Sequence, residues 1–262
     1  MRRFTFTAMA FLCTAAITHA AGFVHNDNFL VFTESGISPQ VAQDFAGSLM
    51  MRAEAYRKQI AEDWLGRPLP AGIGRATINL RFSDSEDTGL TWAIDHPNRK
   101  THTVYLVTSA DKALGTTLAH EMVHVVLATR FPHPHRLPAW LEEGIASQYD
   151  DEKRHELRAD KAHWWVETGA WPDVEEVLRS HNIQAHDQQA YTVAAFLADM
   201  LLARGDKRKL LAFGEAATRS GWRTAMEHHY RISGPSELQR AWQSRVMQSV
   251  RTSAGTVRLS QR

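Results

Sequence analysis

The sequence predicts an α+β protein with a mixed N-terminal half and an all-helical C-terminal half. Up to residue 107, short apolar runs of the kind found in strands stand around one long helical pattern. After that point the apolar spacing is helical, and capping residues divide it into successive helices. No internal repeat, glycine-rich phosphate loop or low-complexity stretch interrupts this layout.

The N-terminal half combines predicted strands with one long helix. The strands are expected at residues 29–33, 76–82 and 103–107. Ser38 and Pro39 have the residue types of an N-cap and a first helical position, and the helix is expected to end near Gly66. Its apolar face is predicted to contain Val41, Phe45, Leu49, Tyr56 and Ile60. Residues 83–89 are polar and are predicted to form a loop.

The C-terminal half is predicted to contain only helices. Asp187 has the position of an N-cap for a strongly apolar helix that follows it. The predicted helices span residues 150–168, 188–204, 207–213, 224–230 and 236–250. Residues 251–262 are polar and are predicted to form a flexible tail.

The first twenty residues have the pattern of a secretory signal peptide. Arg2 and Arg3 precede an apolar stretch, and small residues around Ala20 mark a cleavage site. The mature protein is therefore expected in the periplasm or outside the cell, without stable membrane insertion, as a domain spanning residues 21–250. Cys13 is the only cysteine, so no disulfide is expected after cleavage. The formal net charge of +1 gives no indication of nucleic-acid binding.

Residues 120–124 read His-Glu-Met-Val-His within an otherwise apolar helical stretch. Positions i and i+4 share one face of a helix, so His120 and His124 can direct their imidazoles at one metal ion. Polar side chains on a helix that is buried nearly all round need a reason, and metal ligation is the best one. Glu121 is then free to act as a base toward water activated by the metal.

A second motif follows, where residues 140–144 read Trp-Leu-Glu-Glu-Gly and Glu143 lies nineteen positions beyond His124. The two motifs together resemble those of gluzincin zinc metallopeptidases, and most closely the bacterial peptidase MA-like proteins. The resemblance implies a zincin-like bilobal fold, with residues 21–130 as an α/β lobe and 131–250 as a helical lobe. It also implies one zinc ion held by His120, His124 and Glu143, with Glu121 as general base. Residues 91–107 would then line the cleft and bind peptide by strand addition.

Several other residues are further candidates for a role at the predicted metal site. Glu142 is the rival of Glu143, but the register of the second motif selects Glu143 and leaves Glu142 facing solvent. Ser147 stands where relatives often have an acidic residue that supports a zinc-bound imidazole. Tyr191 is either a stabiliser of the reaction's oxyanion or a half-buried core tyrosine. His133 and His135 are more readily explained as loop residues than as extra ligands.

The sequence therefore predicts an exported zinc-dependent peptidase acting on peptides or proteins. The Gly-x-Met-x-Asn stretch by which related aminopeptidases hold a free N-terminus is absent, which favours an endopeptidase. One alternative is an amidase acting on cell-wall peptides. The other is a non-catalytic zinc-binding or scaffold protein of the same fold, although Glu121, which inactive relatives usually lose, is present.

Overall fold

The computed structural model describes residues 21–34, 37–96, 99–184 and 186–260. These residues form one sheet and a set of helices, which confirms the predicted α+β class. The strands are β1 (Gly22–His25), β2 (Phe29–Thr33), β3 (Arg75–Phe82), β4 (Thr88–His96) and β5 (Arg99–Thr108). The helices are α1 (Pro39–Leu65), α2 (Ala110–Ala113), α3 (Thr116–Arg130), α4 (Ala139–Ala146), α5 (Glu152–Thr168), α6 (Val174–Arg179), α7 (Gln188–Leu202), α8 (Lys207–Ser220), α9 (Trp222–Tyr230) and α10 (Pro235–Ser260).

The five strands lie in the order β1-β2-β3-β5-β4. The three central strands are parallel, and β1 and β4 pair antiparallel at the two edges. The sequence prediction missed both edge strands. β1 is only four residues long, and β4 mixes glycine, polar and aromatic residues without a clear alternation. The loop predicted at residues 83–89 therefore ends two residues early, because β4 begins at Thr88.

One face of the sheet carries the core. Ala76, Ile78 and Leu80 alternate along β3 and are buried, as their spacing predicted. Helix α1 starts as expected, since the Ser38 side chain accepts from the backbone N–H of Val41 and Pro39 is the first helical residue. Val41 itself is 55% exposed, which corrects its predicted place on the apolar face.

Helix α3 is buried on nearly every side, since twelve of its fifteen residues are buried. Leu118, Met122 and Val126 have no exposed surface and belong to the main core. The helix follows β5 after the short helix α2. The His-Glu-Met-Val-His motif therefore lies on a buried helix that contributes to the core.

The C-terminal half is helical, and several helices extend beyond their predicted limits. Asp187 caps α7 by accepting from the N–H of Ala190, as predicted. Helix α8 continues to Ser220 and α10 to Ser260, so the tail predicted from Arg251 is helical as far as Ser260. No described helix is long and apolar enough to cross a membrane. The predicted signal peptide, residues 1–20, lies outside the described residues.

Candidate metal centre

Three predicted ligands converge at the junction of α3 and α4. The imidazole rings of His120 and His124 lie side by side on α3, with centroids 5.3 Å apart. From α4, Oε2 of Glu143 lies 3.5 Å from Nε2 of His120 and 3.6 Å from Nε2 of His124. The candidate ligand atoms of the three residues all lie within 4.8 Å of one another. The only such group among the described residues does not include His133 or His135.

The donor set fits a bound metal ion. Oε2 of Glu143 is buried and makes no hydrogen bond within the described chain, which is costly for a carboxylate oxygen. Ligand atoms about 2.0 Å from a tetrahedral zinc are separated from each other by about 3.3 Å, close to the observed distances. Two histidines and one glutamate form a donor set found in catalytic zinc sites. A metal ion shared by the three side chains would satisfy the unpaired oxygen.

Close packing of α4 against α7 positions Glu143. A Cβ atom added to Gly144 would lie 2.5 Å from the carbonyl oxygen of Ala194 and 2.7 Å from Cβ of Ala198. Only glycine therefore allows the two helices to approach this closely. The contact fixes the rotation of α4 and brings α7 to the side of the site.

Glu121 is buried and belongs to a different set of contacts from the three ligands. The hydroxyl of Thr91, on β4, donates a 2.6 Å hydrogen bond to Oε2 of Glu121. Oε1 of Glu121 lies where the side chain of residue 89 would be, since a Cβ atom on Gly89 would approach it to 2.2 Å. The edge strand thus holds the carboxylate in place, separate from the converging ligand atoms.

Asp150 supports His120, a role that the sequence assigned to position 147. Oδ1 of Asp150 lies 2.9 Å from Nδ1 of His120, the ring nitrogen on the side away from Glu143. The Ser147 hydroxyl instead donates to the carbonyl oxygen of Gly144 at 2.8 Å. A 3-10 turn over Ser147–Tyr149 follows α4 and has Asp150 at its C-cap, so the acidic partner comes three residues after Ser147.

Two arginines from α5 hold Asp150 in turn. Arg158 lies 2.6 Å from Oδ2 and Arg154 lies 3.1 Å from Oδ1. Burial alone would raise the pKa of Asp150, but His120 and these arginines outweigh burial and hold the pKa well below its usual value. Asp150 is therefore an ionised, buried acceptor for His120.

Glu142 is buried, which corrects its predicted exposure to solvent. Only 5% of its surface is accessible. Arg136 reaches Oε2 of Glu142 at 2.8 Å, and the same oxygen lies 3.7 Å from Nδ1 of His124. Arg136 comes from the loop before α4 and reaches Glu142 on that helix. The spacing of residues does not reveal this contact, so the sequence placed Glu142 in solvent.

The carboxylates strongly affect the protonation of the histidines in the metal-free site. Burial by itself would lower the pKa of His120, but the hydrogen bond to Asp150 and the nearby Glu143 raise this pKa to about 9. Burial likewise opposes protonation of His124, yet the charge of Glu143 and the neighbouring Glu142 raise its pKa well above the usual value. The pKa of Glu143 is held well below its usual value, since the two histidines outweigh the effect of burial.

Tyr191 lies in the wall of the same cavity, near the start of α7. Within the described chain its hydroxyl makes no hydrogen bond to another residue. Burial, followed by the negative charges of Glu143 and Glu121, raises its pKa above the usual value. The hydroxyl is therefore protonated at neutral pH and able to donate a hydrogen bond into the cavity.

The cavity over the site has a volume of about 670 Å³. One wall is β4, at the edge of the sheet, and the opposite wall comes from the loop before α4 and the segment before α7. The expectation that residues 91–107 line the cleft holds for Thr91, Trp92 and Ala93 of β4, whereas β5 lies inside the sheet between β3 and β4. Trp92 is 60% exposed at this wall.

Neither a scan against protein-family models nor a search of curated proteins finds a match to this chain. The geometry of the site and the sequence motifs are therefore the basis for assigning a function.

Proposed function

We propose that this chain is an exported zinc-dependent peptidase of the gluzincin type, with a zincin-like bilobal fold. The supporting observation is that the polar side chains of the site form two groups with separate contacts. His120, His124 and Glu143 converge on one point, while Glu121 is held beside them by Thr91 and Gly89. Structural metal sites are usually closed by four protein ligands, whereas three ligands beside an open cavity are the arrangement of catalytic zinc.

The chain's own residues have distinct roles in the proposed reaction. When bound, zinc polarises the scissile carbonyl and makes water more acidic. Glu121 accepts a proton from the attacking water and delivers it to the nitrogen of the leaving amine. The protonated hydroxyl of Tyr191 donates a hydrogen bond to the oxyanion that forms at the carbonyl.

The substrate class is an extended peptide or protein segment. The unpaired side of β4 borders the cavity, so a peptide can add to the sheet as a further strand above the metal centre. A strand edge pairs with the backbone of an extended segment and requires no free terminus of the substrate. This arrangement supports cleavage within a chain rather than removal of terminal residues.

A metal-content measurement paired with a peptide-library digest tests the proposal. Wild-type protein is expected to carry about one zinc per chain and to cleave peptides. Glu121→Gln should keep the zinc but lose cleavage by several orders of magnitude, because it keeps the shape and removes the base. Glu156→Gln makes the same chemical change on an exposed face of α5 and should leave both properties unchanged.

Three results would contradict parts of the proposal. A protein that refuses added zinc would remove the metal centre. A zinc-loaded protein without cleavage, whose Glu121→Gln variant rescues a deletion strain as well as wild type does, would indicate a scaffold. Cleavage restricted to cell-wall stem peptides would indicate the amidase.

Export is tested separately from catalysis. The mature product recovered from outside the cytoplasm should begin near Ala21, because the proposed signal peptide ends at Ala20. N-terminal sequencing that finds Met1 on this product would show that the segment is not removed.

A further inference from the structure

We infer that Glu142 is a positioning residue that orients His124 toward the metal, with Arg136 holding the Glu142 carboxylate in place. This inference rests on the metal site of the proposed function. It assigns to Glu142 a role beside the ligand Glu143 rather than a place on the solvent-facing side of α4.

The first supporting observation is that the two ring nitrogens of His124 face different carboxylates. Its Nε2 atom lies 3.6 Å from Oε2 of Glu143, so this nitrogen faces the ligand cluster. Its Nδ1 atom lies 3.7 Å from Oε2 of Glu142, so the other side of the ring faces a second carboxylate. A short movement of this carboxylate brings the two atoms within hydrogen-bonding distance. An acceptor at Nδ1 fixes the tautomer in which Nε2 is free to bind a metal.

The second supporting observation is that the Glu142 carboxylate is buried. A carboxylate with 5% exposure is costly unless its charge is compensated. Arg136 supplies one compensating contact at 2.8 Å, to Oε2. Oε1 makes no hydrogen bond within the described chain. A neutral side chain at this position would avoid the cost, so the buried negative charge is better explained by the imidazole beside it than by packing.

The third supporting observation is that His120 has a comparable carboxylate partner, Asp150. Asp150 contacts Nδ1 of His120 at 2.9 Å, on the side of the ring away from the ligand cluster. Glu142 occupies the corresponding position relative to His124. Each imidazole therefore has its own buried carboxylate at Nδ1, although the two acids come from different parts of the chain. Asp150 is held by two arginines and Glu142 by one.

The test compares zinc affinity with folding stability. Glu142→Gln should raise the zinc dissociation constant about 10- to 100-fold, measured by competition with a chelator at constant pH. The visible absorption spectrum of the cobalt-substituted protein should change as well, because the angle of the His124 ring affects the coordination geometry. The melting temperature of the metal-free protein should change little in comparison.

Two further variants distinguish a positioning role of Glu142 from misfolding and from a purely structural role. Glu142→Asp keeps the charge near Arg136 but shortens the side chain, so zinc affinity should again fall in a folded protein. Arg136→Gln leaves the carboxylate in place and should weaken zinc binding less than Glu142→Gln does. Unchanged zinc affinity and cobalt spectrum in the Glu142 variants would overturn the inference, whether or not the melting temperature of the metal-free variants falls.

The outcomes separate this inference from the proposed function. If wild type binds zinc and cleaves peptide while both Glu142 variants retain wild-type zinc affinity, only the positioning role fails. If wild type binds no zinc, the metal site fails and the positioning role fails with it.

Discussion

The hydroxyl of Thr91 donates a 2.6 Å hydrogen bond to Oε2 of Glu121, joining the edge strand of the sheet to the buried helix of the metal site. Strand β4 thus both borders the cleft and orients the proposed general base. A change in this strand is therefore expected to affect catalysis without removing any ligand of the metal.

Replacing Thr91 by valine tests this link, because valine keeps the shape and removes the hydroxyl. Hydrogen bonds to charged groups contribute about 1.5–3 kcal/mol, so kcat should fall roughly 10- to 100-fold. Steady-state kinetics on a cleaved peptide measure the change, and zinc content should stay near one per chain. An unchanged kcat would show that the hydrogen bond does not position the base.

Gly89 provides a second test of the same wall of the site. In Gly89→Ala the new methyl group would overlap Oε1 of Glu121, since a Cβ atom there lies 2.2 Å away. Cleavage should be lost while zinc is retained, as measured by peptide digestion and metal analysis. Gly47→Ala is the matched control. No atom lies within 4 Å of that Cβ position, and a helix interior gains roughly 0.5–1 kcal/mol from the change. Full activity in Gly89→Ala would contradict the crowding.

Zinc affinity should respond differently to substitutions at Asp150 and at Ser147. Asp150→Asn removes the charge beside Nδ1 of His120 and should weaken zinc binding about 10- to 100-fold. Ser147→Ala should leave the affinity unchanged, because the Ser147 hydroxyl is engaged with the carbonyl of Gly144. Chelator competition on the two variants checks both expectations. The reverse order of effects would restore the partner that the sequence pattern suggested.

Zinc affinity should depend on pH through the histidines. In the metal-free protein the pKa of His120 is raised from 6.5 to about 9. Protonated His120 thus stabilises the metal-free fold below pH 6.5, and this contribution is lost as pH rises through about 9. Zinc binds neutral imidazole, so affinity should rise with pH across this window, about tenfold per unit for each proton displaced. Chelator competition at several pH values measures this slope, and a flat profile would contradict it.

The candidate ligands could be predicted from sequence because two of them lie one helical turn apart and the third lies in a motif that the family resemblance supplies. His120 and His124 are separated by one helical turn, and Glu143 follows in a motif with a fixed register. The partners of the two histidines were not predictable in this way. Asp150 contacts His120 after a 3-10 turn that follows α4, and Glu142 pairs with Arg136 from the loop before α4. Such contacts depend on loop geometry, which residue spacing does not encode.

The strands likewise include one that the sequence predicted and one that it did not. Strand β3 has a clear alternation of buried and partly buried residues, and it was predicted correctly. Strand β4 has Gly89 and Thr91 turned toward Glu121 and Leu90 and Trp92 largely exposed, so neither set forms an apolar face. The strand that borders the site was missed because its inward residues serve the site rather than the core.

The location of β4 at the edge of the sheet has a consequence for which proteins the cleft can process. A segment that adds to this edge must be extended, with its own backbone N–H and C=O groups unpaired. Helices and interior strands of native proteins do not meet this condition, whereas linkers, termini and unfolded chains do. Under the proposed function, the enzyme would select substrates by their lack of structure and would spare correctly folded neighbours outside the cytoplasm.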